Sequence, residues 1–67
     1  MTNEEFINHM KAIRSDAEGD GLDMSDDAIA YELAECCLQD EELKPYIAKR
    51  WPNKEEHVLI SILADYI

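Results

Sequence analysis

Apolar side chains recur at every third or fourth position through most of the chain, and this spacing constrains the fold more than any other feature of the sequence. Residues with this separation lie on one face of an α-helix. The chain shows no sustained alternation of apolar and polar residues, the pattern typical of a half-buried strand. Glycine and proline interrupt the helical pattern at only four positions: Gly19, Gly21, Pro45 and Pro52. The sequence therefore predicts an all-α fold with short loops.

The first half of the chain predicts two helices. We expect the first over residues 3–15, because Thr2 and Glu5 fit a capping box at its start. The acids and glycines of residues 16–24 predict a loop. Ser25 is the expected N-cap of the second helix. Its apolar arc is broad, so we expect it to be the central helix.

The second half predicts a short helix and a final longer one. The second helix should end near Gln39, and a short third helix is expected over residues 46–51, before Pro52. Asn53 is the expected N-cap of the last helix. Apolar residues cover more than half of that helix, so it either packs centrally beside the second helix or presents its excess apolar face to another molecule.

The size of the chain limits what it can be. Sixty-seven residues form at most one domain, and we expect residues 1–67 to be a single acidic helical bundle of three longer helices and one short helix. No apolar run approaches the length of a membrane span. Residues 1–5 carry no secretion signal, so we expect a cytoplasmic protein. The adjacent Cys36 and Cys37 are expected to be reduced thiols packed like small apolar residues.

Charge is distributed very unevenly along the chain. Sixteen acids and six bases give a net charge of −10. Residues 16–42, which we call the acidic segment, contain eleven acids and no lysine or arginine, whereas the remaining residues carry five acids and six bases. This balance excludes a basic surface that binds nucleic acid directly. It favours a protein partner whose own surface is basic.

One stretch of the acidic segment resembles a known metal-binding loop. Residues 16–27 are similar to the calcium loop of an EF-hand, in which alternate acids surround a glycine turn. Position eight of that loop would be Asp23 instead of an aliphatic residue. The resemblance implies calcium ligands at Asp16, Glu18, Asp20 and Asp27. The alternative interpretation is a solvated acidic loop without a metal.

The acidic segment as a whole suggests a second function. In size, charge and helicity the chain resembles the small acidic inhibitors made by phages, which include nucleic-acid mimics, anti-restriction proteins and anti-CRISPR proteins. Carboxylates held on helices approximate the spacing of backbone phosphates, so a protein that binds phosphates would bind them instead. The residues expected to contact such a partner are Asp20, Asp23, Asp26, Asp27, Tyr31, Glu32, Glu35, Glu41 and Glu42.

Three further interpretations concern the remaining residues. The apolar face of the last helix predicts, as an alternative, a homodimer or an adaptor module. The bases near Trp51 are expected to pair with the protein's own acids, with Trp51 in the core: Lys44, Lys49, Arg50 and Lys54. His9 and His57 are expected at the surface.

The chain lacks a glycine-rich phosphate loop and a Cys-x-x-Cys pair, so we expect no cofactor and no enzymatic activity.

Overall fold

Four helices and no strands make up the protein. The computed structural model describes residues 1–67, and its elements in chain order are α1 (Asn3–Gly19), α2 (Asp27–Leu38), α3 (Leu43–Arg50) and α4 (Glu56–Tyr66). The predicted all-α bundle of three longer helices and one short helix is confirmed. None of the four helices combines the length and the apolar character needed to cross a membrane.

The main core cluster draws on all four helical segments. Each contributes to it a pair of buried apolar residues separated by three or four positions, the spacing that places both on one face, and Ala17 of α1 is buried outside this cluster. The eight core residues are Phe6, Met10, Ala34, Cys37, Leu43, Ile47, Leu63 and Ile67. No polar or charged residue is buried. The most extensive helix pair is α2 with α4, so the expectation that the last helix packs beside a central second helix is confirmed.

Helix α1 extends four residues beyond the predicted end, to Gly19. It closes in a Schellman motif, in which the Leu22 N–H donates to the Ala17 carbonyl (3.1 Å) and the Gly21 N–H donates to the Glu18 carbonyl (3.0 Å). Gly21 adopts φ 88°, a left-handed conformation that favours glycine. The prediction of a loop from residue 16 was wrong because the helix continues through the acids of its last turn and through Gly19, and ends only just before the left-handed Gly21.

Helix α2 is capped by Asp26, and the prediction of Ser25 was wrong. The Asp26 carboxylate accepts a hydrogen bond from the Ala28 N–H at 2.9 Å. Ser25 instead donates to the Asp23 carboxylate from its main-chain N–H (3.0 Å) and its hydroxyl (2.6 Å). Aspartate and serine are both good caps, so spacing alone did not distinguish two candidates one position apart.

Helix α3 begins at Leu43, three residues before the predicted start. The Asp40 carboxylate accepts hydrogen bonds from the N–H groups of Glu42 (2.8 Å) and Leu43 (3.2 Å). These N–H groups have no partner within the helix, so the carboxylate stabilises a helix start at this position. Pro45 therefore lies in the first turn, where its missing N–H leaves no intrahelical bond unmade.

The two remaining helix starts give opposite outcomes. The capping box of α1 is confirmed: the Glu5 N–H donates to the Thr2 hydroxyl (3.1 Å) and the Thr2 N–H donates to the Glu5 carboxylate (3.0 Å). The N-cap of α4 is Glu55 and not Asn53. Asn53 has φ 62° and turns the chain before the helix, a conformation that asparagine tolerates better than most residues.

Candidate functional site

The acidic segment forms a continuous stretch of surface elements. It covers the last turn of α1, the loop over residues 20–26, all of α2 and the turn before α3. Of its eleven carboxylates ten are exposed, and only Asp40 is half-buried. All nine residues predicted to contact a partner are exposed, including Tyr31, whose exposed fraction is 51%.

Few of these carboxylates have a cationic neighbour. Glu18 pairs with the Arg14 guanidinium at 2.7 Å, while Asp40 and Glu42 each lie 3.6 Å from a ring nitrogen of His9. The other eight carboxylates form no ion pair. They are Asp16, Asp20, Asp23, Asp26, Asp27, Glu32, Glu35 and Glu41. Their negative potential is therefore uncompensated within the molecule.

Helix α2 carries two of these carboxylates on its outer face. Its buried face is formed by Ala34 and Cys37, which pack against the core with α4. Glu32 and Glu35 are three positions apart and exposed, so their side chains lie side by side on the outer face of the helix. Two like charges at this spacing repel one another. Both carboxylates are therefore available to a cationic group from outside.

Hydrogen bonds hold two of the loop carboxylates, those of Asp23 and Asp26, in defined positions. Asp20 is the C-cap of α1, Asp26 caps α2, and Asp27 lies in the first turn of α2, where the helix dipole favours a negative charge. The hydrogen bonds from Ser25, the hydroxyl above all, hold the pKa of Asp23 below its ordinary value. Asp23 therefore keeps its negative charge well below neutral pH.

The calcium-loop geometry that the resemblance implies is not formed. Asp16 and Glu18 lie on the last turn of α1, and Asp27 is the first residue of α2, so the four expected ligands do not share one loop. Nowhere in the chain do three side chains of the types that bind metals come together. The calcium loop does not form because Ala17 and its neighbours continue helix α1.

The cationic residues show a different arrangement from the one expected. Lys44, Lys49, Arg50 and Lys54 form no ion pair, so the prediction that they pair with the protein's own acids was wrong. The guanidinium of Arg50 instead lies over the Trp51 ring, 4.7 Å from its centroid. It also donates to the hydroxyls of Tyr46 (2.8 Å) and Tyr66 (3.1 Å).

Arg50 belongs to a cluster of aromatic rings that sequence reasoning missed. Phe6 stacks on Tyr46 with centroids 4.6 Å apart and meets Tyr66 edge-on at 5.2 Å. Trp51 is half-buried at the side of this group and is not a core residue. We call these residues the arginine–aromatic cluster: Phe6, Tyr46, Arg50, Trp51 and Tyr66. The four-residue spacing of Tyr46 and Arg50 was the only local signal of it.

The two cysteines have different surroundings. Cys37 is buried in the core, and burial, helped by the nearby charges of Asp40 and Cys36, raises its pKa to about 11. Cys36 is exposed, so the expectation of a packed apolar residue holds for Cys37 alone. The two histidines also differ. His57 is exposed and its ring lies 3.3 Å from the Glu55 carboxylate, whereas His9, on α1, is half-buried and faces the turn before α3.

The last helix leaves none of its large apolar residues fully exposed. Leu63 is completely buried, and Val58, Leu59, Ile60 and Ile62 are half-buried. The large apolar residues that are exposed lie elsewhere, at Met1, Leu22 and Tyr31. The homodimer or adaptor that the apolar face of this helix suggested stays a prediction, and the apolar hollow of about 240 Å³ beside Leu59 is where such a contact would form.

Comparison of the chain with protein-family models, with curated proteins and with solved structures finds no match.

Proposed function

We propose that this protein binds the basic groove of a nucleic-acid-handling protein and blocks it, in the manner of the small acidic phage inhibitors that the chain resembles. The observation that carries the proposal is the set of eight carboxylates in the acidic segment that are exposed and have no cationic neighbour. The proposed action is binding, without a catalytic step or a cofactor.

The spacing of the carboxylates supports this choice of partner. Side chains three positions apart on a helix have Cβ atoms about 5–6 Å apart, which is comparable with the spacing of phosphates along a nucleic-acid strand. Glu32 and Glu35 have this relation on the outer face of α2. A groove lined with lysine and arginine to hold phosphates is complementary to such a surface.

The net charge supports fast and selective association. A molecule with a formal charge of −10 attracts a cationic groove over distances of about one Debye length and repels nucleic acid itself. Complementary charge raises the association rate and disfavours partners of like charge. Tyr31, exposed at 51% beside the carboxylates of α2, supplies an aromatic contact of the type that often dominates interface energies.

Affinity capture with competition tests the proposal. The immobilised protein is exposed to a cell lysate, and bound proteins are eluted with duplex DNA or with RNA before mass spectrometry. We expect nucleic acid to release a nucleic-acid-binding protein. The variant Glu32→Lys/Glu35→Lys should lose this capture while it keeps its helical circular dichroism, whereas the control Lys49→Ala should keep it. Capture that nucleic acid does not displace, or that survives the double reversal, would overturn the proposal.

A further inference from the structure

An exposed leucine lies in the middle of the acidic segment. Leu22 has an exposed fraction of 44%, although it is surrounded in sequence by glycine and acids. An exposed apolar residue at a charged surface favours contact with another molecule when its neighbours add to the same patch. The surroundings of Leu22 therefore decide whether it forms part of a site.

The main chain holds Leu22 in a fixed position. Its N–H closes the Schellman motif by donating to the Ala17 carbonyl at 3.1 Å. The preceding Gly21 adopts the left-handed conformation that this motif requires. Binding of a partner over Leu22 therefore costs little backbone conformational entropy at this end of the loop. Such preorganisation increases affinity.

Leu22 lines two hollows of different chemistry. On one side is an apolar hollow of about 200 Å³ between the loop and α2, lined by Leu22, Ile29, Glu32, Leu33 and Cys36. On the other side is a wider polar hollow of about 450 Å³, whose lining includes Arg14, Glu18, Asp23 and Ser25. An apolar centre thus lies beside carboxylates on both sides, which is the general arrangement of a protein interface with an apolar core and a polar rim.

We infer that the apolar hollow beside Leu22 is the anchor point of the acidic surface, and that it receives an aliphatic side chain flanked by lysine or arginine on the partner. This inference rests on the proposed function and names the chemistry of the partner segment. The aliphatic side chain packs against Leu22 and Leu33. The flanking cations meet Glu32, which lines the hollow, and Asp23, which borders Leu22 on the polar side.

Charge complementarity selects this occupant over a second copy of the chain. A symmetric dimer through the hollow would bring Glu32 and Asp23 of each copy near the same carboxylates of the other, and like charges at an interface are destabilising. A basic segment removes this repulsion and also buries the apolar surface. The occupant is therefore apolar at its centre and basic at its ends.

Cys36 provides a reporter inside the hollow. It is exposed and lines the hollow, whereas Cys37 is buried and its pKa is raised to about 11, so iodoacetamide at neutral pH should modify Cys36 selectively. The probe is a helical lysine-rich peptide with leucines on one face. Its matched control has serine in place of each leucine and the same charge.

The two peptides should behave differently. At saturation, the leucine peptide should slow the alkylation of Cys36 about tenfold, and the serine peptide by less than about twofold. Leu22→Ser should weaken binding of the leucine peptide about tenfold and leave the serine peptide unchanged. The variant Lys49→Ala, which alters an exposed side chain outside both the hollow and the acidic segment, should retain the protection of Cys36. Circular dichroism confirms that each variant is folded.

Three results would overturn the inference, and they differ in what they say about the proposed function. In the first, both peptides bind equally, neither protects Cys36, and the binding is lost in Glu32→Lys/Glu35→Lys. This result rejects the hollow as the anchor and leaves the acidic surface as a binding site. Binding of neither peptide at about 0.05 M salt rejects both proposals. A dimer of the free protein that Leu22→Ser dissociates, measured by light scattering, would place a second copy in the hollow.

Discussion

The acidic segment and the arginine–aromatic cluster both carry charge, but they differ in what surrounds it. Eight carboxylates of the acidic segment face solvent without a cation. Arg50, in contrast, is held by the Trp51 ring and by the hydroxyls of Tyr46 and Tyr66. The cluster ties together α1, α3 and α4, whereas these eight acids join no helices to one another. Charge in the cluster therefore contributes to the fold, whereas most of the charge in the acidic segment has no partner within the molecule.

This difference implies that stability and binding are separable in this protein. Substitutions in the arginine–aromatic cluster should lower the free energy of unfolding without a direct effect on the binding surface. Substitutions that remove acids should affect binding and slightly increase stability, because they relieve repulsion.

The largest effect is expected at Phe6, the fully buried residue of the cluster. Phe6→Ala should lower the free energy of unfolding by about 3–5 kcal/mol, because it removes a buried ring and leaves a cavity. A domain of this size has little more stability than that, so we expect the helical circular dichroism to be largely lost. Phe6→Leu, which fills most of the volume, should remain folded. A Phe6→Ala variant with an unchanged thermal transition would contradict the role of the cluster.

A smaller loss is expected at Arg50. Arg50→Ala should lower the free energy of unfolding by about 1–2 kcal/mol, because it removes the contact with the Trp51 ring and the hydrogen bonds to two tyrosine hydroxyls. Arg50→Lys should recover less than half of this loss, since an ammonium lacks the planar fork. The neighbouring Lys49→Ala is the control and should change stability by less than about 0.5 kcal/mol in urea denaturation. Equal effects at both positions would mean that the cluster contributes nothing specific.

A titration should expose the buried thiol of the core. The pKa of Cys37 is raised to about 11 by burial, so folding favours its neutral form. Its contribution to stability is complete below the ordinary thiol pKa and is lost as the pH rises through about 11. We expect the free energy of unfolding to fall between about pH 9 and 11 by about 1 kcal/mol more in the native protein than in Cys37→Ala. Parallel pH profiles for the two proteins would contradict this assignment.

The smallest effect, and the one of opposite sign, is expected on α2. Glu32→Gln/Glu35→Gln should increase the free energy of unfolding by about 0.3–0.5 kcal/mol, because two like charges three positions apart repel. Added neutral salt should stabilise the native protein and reduce the difference between the two proteins. Thermal melts at low and high salt measure both quantities. A destabilised double variant would show that these carboxylates help to hold the fold.

The sequence predicted the local features of the fold and missed those made by distant residues. Helical spacing was sufficient for the number of helices, because residues three or four apart determine a helix face. The end of α1 depended on the left-handed Gly21, and the start of α3 on the carboxylate of Asp40. Two of the aromatic residues around Arg50, Phe6 and Tyr66, are distant from it in the sequence, so no local pattern predicts their contact with Arg50. Exposure of the acids followed from their charge alone.

Reversal of charge at two places on the molecule tests the central claim most directly. The affinity for the captured partner is measured for Glu32→Lys/Glu35→Lys on α2 and for Lys49→Glu/Lys54→Glu near the arginine–aromatic cluster, with helicity as the check on folding. We predict that the first variant binds at least about tenfold more weakly, and that the second stays within about twofold of the native protein. The reverse result, in which the lysine pair matters and the glutamate pair does not, would contradict the proposed function.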